Sequence, residues 1–246
     1  MKIVVVGATS AIAEQCCRLW VAEGPTELVL IARDMAKAEK IAADLRVRGA
    51  GATVAVVKGE FLDPAAISAQ VADAAATGPI DMALIAQGWL ADQAACQDDL
   101  AMLREALEIN ALSAALFAEA FAQHFARQGR GTLGIIGSVA GDRGRKANYA
   151  YGAAKGFLAR FAEGMDHRFA GTDVRIVLIK PGPTDSPMTA EIKAGGRRVA
   201  ATDDVARTIV VGMARGRPVI YAPPIWRVIM LIVRHLPRFV FNRLSI

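Results

Sequence analysis

Lys2-Ile-Val-Val-Val-Gly-Ala-Thr-Ser-Ala-Ile-Ala13 is the stretch of this 246-residue chain that decides its fold. The β-branched run over residues 2–6 predicts a strand, and the amphipathic pattern from about Ala11 to Ala22 predicts a helix. Gly7 marks the turn between them. Backbone N–H groups at the start of such a helix, together with the helix dipole, favour the binding of a phosphate group. An ordinary strand-to-helix turn is the alternative interpretation.

The same alternation of apolar strands and helices continues along the chain. Further strands are predicted at 27–32, about 52–58, 80–86, 132–137 and 174–180, and further helices at 35–48, about 64–76, 98–128 with a break, and 150–170. Strands that are apolar throughout and separated by helices indicate a parallel sheet covered on both faces. We therefore predict the α/β class and a doubly wound parallel sheet, the Rossmann fold. Residues 1–222 would form this single domain, and residues 223–246 a basic, amphipathic, helical tail.

The composition is that of a globular protein. Hydrophobic residues make up 54% and charged residues 22% of the chain, which excludes a disordered protein. The apolar run at the start is too short for a secretion signal and is followed at once by Gly7, so we predict a cytoplasmic protein. Cys16, Cys17 and Cys96 lack the spacing of a metal or redox site, so we predict core thiols and no metal.

A tyrosine and a lysine four residues apart, Tyr151 and Lys155, are candidates for proton transfer. On a helix these positions share a face, so the ammonium can lie beside the phenol, favour the phenolate and lower the tyrosine pKa. Such a tyrosine could exchange a proton near neutral pH. Ser138, at the end of an apolar strand, would donate a hydrogen bond to the oxygen of a carbonyl substrate. An exposed helix that carries the pair by chance is the alternative.

The residues after the second strand bear on the choice of nucleotide. A carboxylate at this strand tip binds the ribose 2′-hydroxyl of NAD, whereas an arginine can pair with the 2′-phosphate of NADP. Ala32 stands where the carboxylate is expected, and Arg33 follows it, so NADP(H) is the preferred cofactor. NAD(H) is the alternative if Asp34 binds the ribose; otherwise Asp34 caps the next helix.

These motifs together resemble those of the short-chain dehydrogenase/reductase family over residues 1–222. The catalytic serine, tyrosine and lysine of that family match Ser138, Tyr151 and Lys155. Its asparagine in the long central helix matches Asn110, which would position a water that resupplies protons. The resemblance implies hydride transfer between a nicotinamide and a carbonyl or alcohol carbon, with the tyrosine as acid or base and the lysine on the nicotinamide ribose. It also implies a homodimer or homotetramer.

The resemblance further implies where the dinucleotide binds. The family's glycine-rich turn matches residues 7–13, with Ala11 and Ala13 in place of two glycines, and its Pro-Gly segment beside the nicotinamide matches residues 181–188. The expected cofactor-binding residues are Gly7, Thr9, Ser10, Ala11, Ile12, Arg33, Glu60, Phe61, Ala86, Gln87, Gly88, Tyr151, Lys155, Pro181, Gly182, Thr184 and Ser186.

Cations close to the catalytic residues bear on the substrate. Arg143, Arg145 and Lys146 lie between the catalytic serine and tyrosine, and Arg197 and Arg198 follow the Pro-Gly segment. They could bind a phosphate-bearing substrate; the alternative is a solvated turn. The chain also resembles the bacterial subgroup that includes decaprenylphosphoryl-2-keto-erythropentose reductases, which implies a lipid-linked sugar substrate. A non-catalytic cofactor-binding sensor or membrane scaffold with the same fold is the alternative function.

The C-terminal tail is basic. Seven arginines and no acidic residue follow Asp204. Apolar residues between the arginines leave little polar surface for contacts in a groove, so we predict no nucleic-acid partner. The uncharged run at 228–233 is far shorter than the roughly 20 residues of a membrane span. We predict a helix, kinked at Pro237, that associates peripherally with the inner face of an anionic membrane; packing on the domain or on a partner subunit is the alternative.

Overall fold

The alternation of strands and helices predicted from the sequence is present in the folded chain. The computed structural model describes residues 1–244, except the side chain of Ile192; Ser245 and Ile246, the end of the predicted tail, lie outside the described residues. The strands are β1 (Lys2–Val6), β2 (Glu27–Ala32), β3 (Thr53–Lys58), β4 (Met82–Ile85), β5 (Arg130–Ile136), β6 (Asp173–Pro181) and β7 (Val219–Ala222). The helices are α1 (Ala11–Ala22), α2 (Met35–Arg48), α3 (Pro64–Ala75), α4 (Gln93–Asp98), α5 (Leu100–Leu107), α6 (Ser113–Gln128), α7 (Tyr149–Arg168), α8 (Ala190–Ala194), α9 (Thr202–Ala214), α10 (Ile225–His235) and α11 (Arg238–Phe241).

Within residues 1–244 the strands form one parallel sheet of seven strands, in the order β3-β2-β1-β4-β5-β6-β7. The strand order changes direction at β1, where Val6 lies opposite Ile31 of β2 and Ile85 of β4. This topology confirms the predicted doubly wound α/β fold. In such a sheet ligands bind at the carboxyl ends of the strands, beside the point where the order reverses.

Helices cover both faces of the sheet, which is why its central strands are apolar throughout. In β1, Ile3 and Val5 pack into the core cluster that includes residues of α1, α2 and α9, whereas Val4 and Val6 pack with α3, α6 and α7. All four side chains are fully buried. A strand buried on both faces does not show the alternation of apolar and polar residues that a half-exposed strand shows. The buried free cysteines are Cys16, Cys17 and Cys96.

Some elements differ from those that the sequence predicts. Strand β7 and helix α9 are not predicted; β7 has four residues, too few for a periodic pattern to identify it. The helix expected over 98–128 is divided by a π-helical segment, Glu108–Leu112, between α5 and α6. In the tail, α10 and α11 are separated at Pro237, where the kink is expected. No helix of residues 1–244 has the length and apolar character needed to span a membrane.

Candidate active site

A cavity of about 430 Å³ opens at the carboxyl ends of the strands. It brings together segments from β1, β2, β4, β5 and β6 and from the start of α7, which are far apart in the sequence. Of the residues expected to bind the cofactor, those that line it are Gly7, Thr9, Ser10, Ala11, Ile12, Arg33, Phe61, Ala86, Gln87, Gly88, Tyr151, Lys155, Pro181, Gly182, Thr184 and Ser186. Ser138 lines it as well, whereas Glu60 and Asn110 do not.

Gly7 allows the turn after β1 to pass close to the segment after β4. Its φ of 73° lies in the region that favours glycine, and a Cβ there would lie 2.5 Å from the backbone nitrogen of Gln87. Ser10 then caps α1 without a side-chain hydrogen bond, so the first N–H groups of the helix have no side-chain acceptor. Because Ala11 and Ile12 line the cavity, this helix end is presented to it.

Two cations and one carboxylate line the cavity beyond the end of β2. The strand ends at Ala32 as predicted, and Arg33 lies with its guanidinium 5.9 Å from the centre of the Phe61 ring. The Oδ1 of Asp34 accepts a hydrogen bond of 2.9 Å from the N–H of Lys37 and so caps α2. The Lys37 ammonium donates to the carbonyl of Thr9 at 2.9 Å. The sequence prediction missed Lys37, although its place one helical turn after Arg33 is visible in the sequence.

The turn after β3 contributes an aromatic ring and no carboxylate. Phe61 lines the cavity and packs edge-to-face on Phe117, with ring centres 5.5 Å apart. Glu60 was expected to bind the cofactor, but it is exposed and does not line the cavity. The turn directs the ring inward because Phe61 completes the apolar cluster under β1, and the adjacent Glu60 is left on the solvent side.

The candidate catalytic residues come from two elements that pack closely. Tyr151 and Lys155 lie on α7, and Ser138 caps the 3-10 turn Val139–Asp142 that follows β5. The Lys155 ammonium donates to the Ile136 carbonyl at 2.9 Å and lies 5.7 Å from the centre of the Tyr151 ring. A Cβ on Gly141 would lie 2.6 Å from the backbone of Lys155, so this glycine permits the turn to pack against the helix.

Burial dominates the electrostatics of this group. It raises the pKa of Tyr151 above its ordinary value, against the opposing effect of a hydrogen bond with Ser138. It lowers the pKa of Lys155 from 10.5 to about 8, since that side chain is 2% exposed. The lowered tyrosine pKa expected from the i, i+4 spacing is therefore not found. The Lys155 ammonium lies 5.7 Å from the centre of the ring, and the loss of solvent around the phenol outweighs the effect of the Ser138 hydrogen bond on the pKa.

Asn110 lies behind the cavity wall, in the π-helical segment. Its Nδ2 donates to the carbonyls of Trp89 and Ala106 at 2.7 and 2.8 Å, and its Oδ1 accepts from the Trp89 N–H at 2.9 Å. It therefore holds the backbone after β4. A Cβ on Gly88 would lie 3.2 Å from Asn110 Oδ1 and 3.6 Å from the Lys155 ammonium, so both side chains approach the same face of this glycine.

Known proteins share this fold and much of this sequence. A family model described as short chain dehydrogenase matches residues 1–196. An uncharacterized oxidoreductase of Mycobacterium tuberculosis (strain ATCC 25618 / H37Rv) is 36% identical over 250 residues, covering 98% of this chain and 96% of the relative. Another, from Streptomyces coelicolor, is 33% identical over 248 residues, covering 100% and 96%. The chain belongs to the short-chain dehydrogenase/reductase family.

A solved structure shares the fold over nearly the whole chain. The short-chain dehydrogenase from Sphingobium yanoikuyae in complex with NADPH has a TM-score of 0.82 to this chain at 21% identity, covering 96% of each. As a member of this family, the present chain is an NAD(P)-dependent oxidoreductase.

The loop cations of this short-chain dehydrogenase fall into two groups. Arg145, which is partly buried, and Arg197, which is exposed, line the cavity, whereas the exposed Lys146 and Arg198 do not. Arg143 was expected to border the substrate, but its Nη1 donates to the carbonyls of Val233, Arg234 and Leu236 at the end of α10. The last carbonyls of a helix have no i+4 N–H partner within it, and a guanidinium satisfies several of them at once; the Val233 carbonyl also accepts a long hydrogen bond of 3.4 Å from the Leu236 N–H.

The tail packs on both loops that flank the candidate catalytic residues. The Arg143 guanidinium lies 3.8 Å from the centre of the Phe241 ring of α11. Gly182, in the Pro-Gly segment, has no room for a Cβ because the Trp226 indole occupies that space. Met230 is 3% exposed. One side of α10 is therefore part of the domain, next to the cavity.

A buried polar group joins the same two loops, and sequence reasoning missed it. Asp142 pairs with the Lys180 ammonium and accepts a hydrogen bond of 2.8 Å from the Tyr221 hydroxyl. Burial and the neighbouring Asp142 raise the pKa of Tyr221 to about 12. Because the partners come from the turn after β5, the end of β6 and β7, no local spacing in the sequence reveals the group.

Proposed function

We propose that this protein interconverts a ketone and a secondary alcohol by NADP(H)-dependent hydride transfer, with Tyr151 as acid or base. The observation that carries the proposal is that Ser138, Tyr151 and Lys155 line one cavity together with the amino end of α1. Bound NADP(H) supplies or accepts the hydride at its nicotinamide C4. The protein supplies the proton and positions the reacting groups.

The residues present fit a dinucleotide. The first N–H groups of α1, which have no side-chain cap, suit a pyrophosphate. Lys155 would hold the nicotinamide ribose, and Thr184 and Ser186 lie beside the expected carboxamide position. Both hydroxyls already make hydrogen bonds within their own loop: Thr184 donates to the Gly182 carbonyl at 2.9 Å, and Ser186 lies 3.3 Å from the Thr189 hydroxyl.

Each candidate catalytic residue has a separate part in ketone reduction. Tyr151 gives its proton to the developing alkoxide, and its raised pKa keeps the phenol protonated at neutral pH. Ser138 donates a hydrogen bond to the same oxygen and stabilises its charge. Lys155 stabilises the phenolate that remains, and Asn110 fixes the backbone at Trp89, next to the cavity-lining Gly88. In the direction of alcohol oxidation the tyrosine must lose its proton first, so that direction requires a higher pH.

The preference for NADP(H) over NAD(H) is supported by the end of β2. Arg33 and Lys37 line the cavity there, and Ala32 leaves no carboxylate at the strand tip. Asp34 is engaged in capping α2. The 2′-phosphate of NADP therefore has two cations within reach, whereas a ribose 2′-hydroxyl would depend on a capping carboxylate.

We also propose that the tail, residues 223–246, attaches this cytoplasmic protein to the inner face of an anionic membrane. Its outward face carries large apolar side chains that are 54–68% exposed, and arginines flank them. The apolar residues are Ile225, Val228, Leu231, Ile232 and Phe239. Amphipathic helices of this composition lie in the headgroup layer of anionic bilayers. A lipid-linked or phosphorylated sugar is the substrate that this location favours.

Self-association into a homodimer or homotetramer is proposed as well. Phe157 on α7 is 48% exposed and stacks on Phe161 with ring centres 5.8 Å apart, which leaves an aromatic surface on the domain. Large exposed aromatic patches are typical of protein interfaces.

NADPH oxidation with a panel of ketones tests the reaction. We expect turnover that falls by about two orders of magnitude or more in Tyr151→Phe, since general acid catalysis contributes that much. Tyr149→Phe is the matched control, because Tyr149 is exposed and does not line the cavity. NADPH binding without tyrosine-dependent turnover on any ketone would favour the non-catalytic sensor instead.

Sedimentation with vesicles that contain phosphatidylglycerol tests the tail. The Leu231→Ser/Ile232→Ser variant should lose sedimentation, whereas Leu100→Ser, at an even more exposed apolar position on α5, should not. Unchanged sedimentation of the tail variant would reject the membrane proposal. A smaller particle by light scattering would assign the same face to subunit packing.

A further inference from the structure

We propose that Arg145 and Arg197 form a subsite for an anionic group of the substrate, and that this enzyme selects carbonyl compounds or alcohols that carry a phosphate. The proposal rests on the proposed function, because it places the phosphate on the molecule whose oxygen contacts Ser138 and Tyr151. The subsite lies in the same cavity as those two residues.

The two guanidiniums face one cavity without a counter-ion. In the part of the chain that the structure describes, no ion pair includes Arg145 or Arg197. The Nε of Arg145 is buried and has no hydrogen-bond partner. Burial lowers the pKa of Arg145, and the charge of Arg197 lowers it further. Such a pair gains most from an anion that neutralises both charges and accepts the buried N–H.

The carboxylates on the same loops have other partners. Asp142, three residues before Arg145, pairs with Lys180. Asp185, on the loop that leads to Arg197, pairs with Lys193 at 2.6 Å. Within residues 1–244, no ion pair therefore neutralises the two arginines, and an anionic ligand can supply the opposite charge.

The position of the subsite assigns this charge to the substrate. The dinucleotide phosphates have their own partners in the helix end at α1 and in Arg33 and Lys37. Arg145, by contrast, lies on the segment between Ser138 and Tyr151. A planar guanidinium binds two phosphate oxygens at once, which suits it to a phosphate more than to a neutral hydroxyl.

The same loop also holds the tail. Arg143, two residues before Arg145, bonds to the carboxyl end of α10. A phosphate bound by Arg145 therefore lies close to the segment that we propose to contact lipid. Phosphate on a membrane lipid and phosphate on a small sugar share the chemistry that the arginines recognise, and the test separates these two sources.

Calorimetric titration of the full-length protein saturated with NADPH measures the subsite directly, since the nucleotide occupies the other phosphate-binding groups. Phenyl phosphate should bind and benzyl alcohol should not. Arg145→Gln and Arg197→Gln should each weaken the binding of phenyl phosphate about tenfold or more, as expected for loss of a charge-assisted hydrogen bond. Arg198→Gln is the matched control, because Arg198 neighbours the subsite in sequence but does not line the cavity.

Several results would overturn the subsite. One is an equal affinity for phenyl phosphate in the wild type and in both glutamine variants. Another is binding of benzyl alcohol as strong as that of phenyl phosphate. A third is binding of phenyl phosphate that NADPH abolishes, which would place that phosphate in the nucleotide site. If phenyl phosphate binds as expected but the protein reduces no ketone, the proposed function is rejected and the anion-binding site is retained. Tighter binding of dodecyl phosphate in phosphatidylcholine vesicles than of phenyl phosphate would identify a lipid source, and equal binding a soluble one.

Discussion

Replacement of Lys155 by methionine should alter how the stability of the protein depends on pH. The side chain is 2% exposed, and its pKa falls from 10.5 to about 8. The unfolded chain therefore binds more protons than the native protein between about pH 8 and 10.5, and in this window the free energy of unfolding rises with pH. The sign is that of a buried base: the native state is penalised while the lysine is charged, and the penalty disappears as the lysine loses its proton.

The size of this effect follows from the pKa change. One pKa unit corresponds to about 1.4 kcal/mol. The decrease of the Lys155 pKa from 10.5 to about 8 therefore lowers the free energy of unfolding by about 3 kcal/mol below pH 8. About 2 kcal/mol of the penalty is removed between pH 7 and 9.5. Lys155→Met keeps a similar chain length and cannot titrate. It also loses the hydrogen bond to Ile136, so its stability at any single pH is less informative than the change with pH.

Urea unfolding of the protein without nucleotide, at about pH 7 and 9.5, provides the test. The wild type should gain about 2 kcal/mol relative to Lys155→Met between the two conditions. Lys146→Met, at an exposed position of the same region, should show no such change relative to the wild type. A difference between wild type and Lys155→Met that is the same at both pH values would refute the argument that burial controls this lysine.

Four further outcomes follow from the site. The kcat/KM for ketone reduction should fall above about pH 8 as Lys155 loses its proton, and a pH profile that stays flat to pH 9.5 would contradict this. Arg33→Ala should raise the KM for NADPH about tenfold and leave that for NADH unchanged, which initial rates with both nucleotides would show. Asp142→Asn should destabilise the protein by about 3 kcal/mol, because the Lys180 ammonium is left buried without its partner. Thermal unfolding should show that the Asp142→Asn/Lys180→Met double variant regains the stability lost in Asp142→Asn. Arg143→Ala should speed hydrogen exchange in α10 about tenfold or more, with exchange in β1 unchanged; equal protection of α10 would exclude the guanidinium as its anchor.

Much of the candidate site follows from local sequence. The bounds of β1, α1, β2 and α2 match the predicted ones because each element is one uninterrupted pattern between a turn and a cap. The spacing of Tyr151 and Lys155 places both on one face of α7 for the same local reason. The capping role of Asp34, one of the two alternatives for that residue, also depends on the N–H groups of its own helix.

Other properties depend on partners that are remote in sequence. Arg143 and Arg145 are two residues apart in one loop, yet one holds the tail and the other lines the cavity. Asp142 lies 38 and 79 positions from its partners Lys180 and Tyr221. A spacing rule describes one helix or one strand, so it cannot assign such contacts.

The amino-acid pattern by itself determined the parallel sheet, since strands covered on both faces must be apolar along their whole length, and it determined the order of the catalytic candidates along the chain. Only the tertiary structure decided the lowered pKa of Lys155, the backbone role of Asn110, and which loop arginine reaches the cavity. Proton affinity and side-chain direction depend on desolvation and on contacts that form only when distant segments pack together.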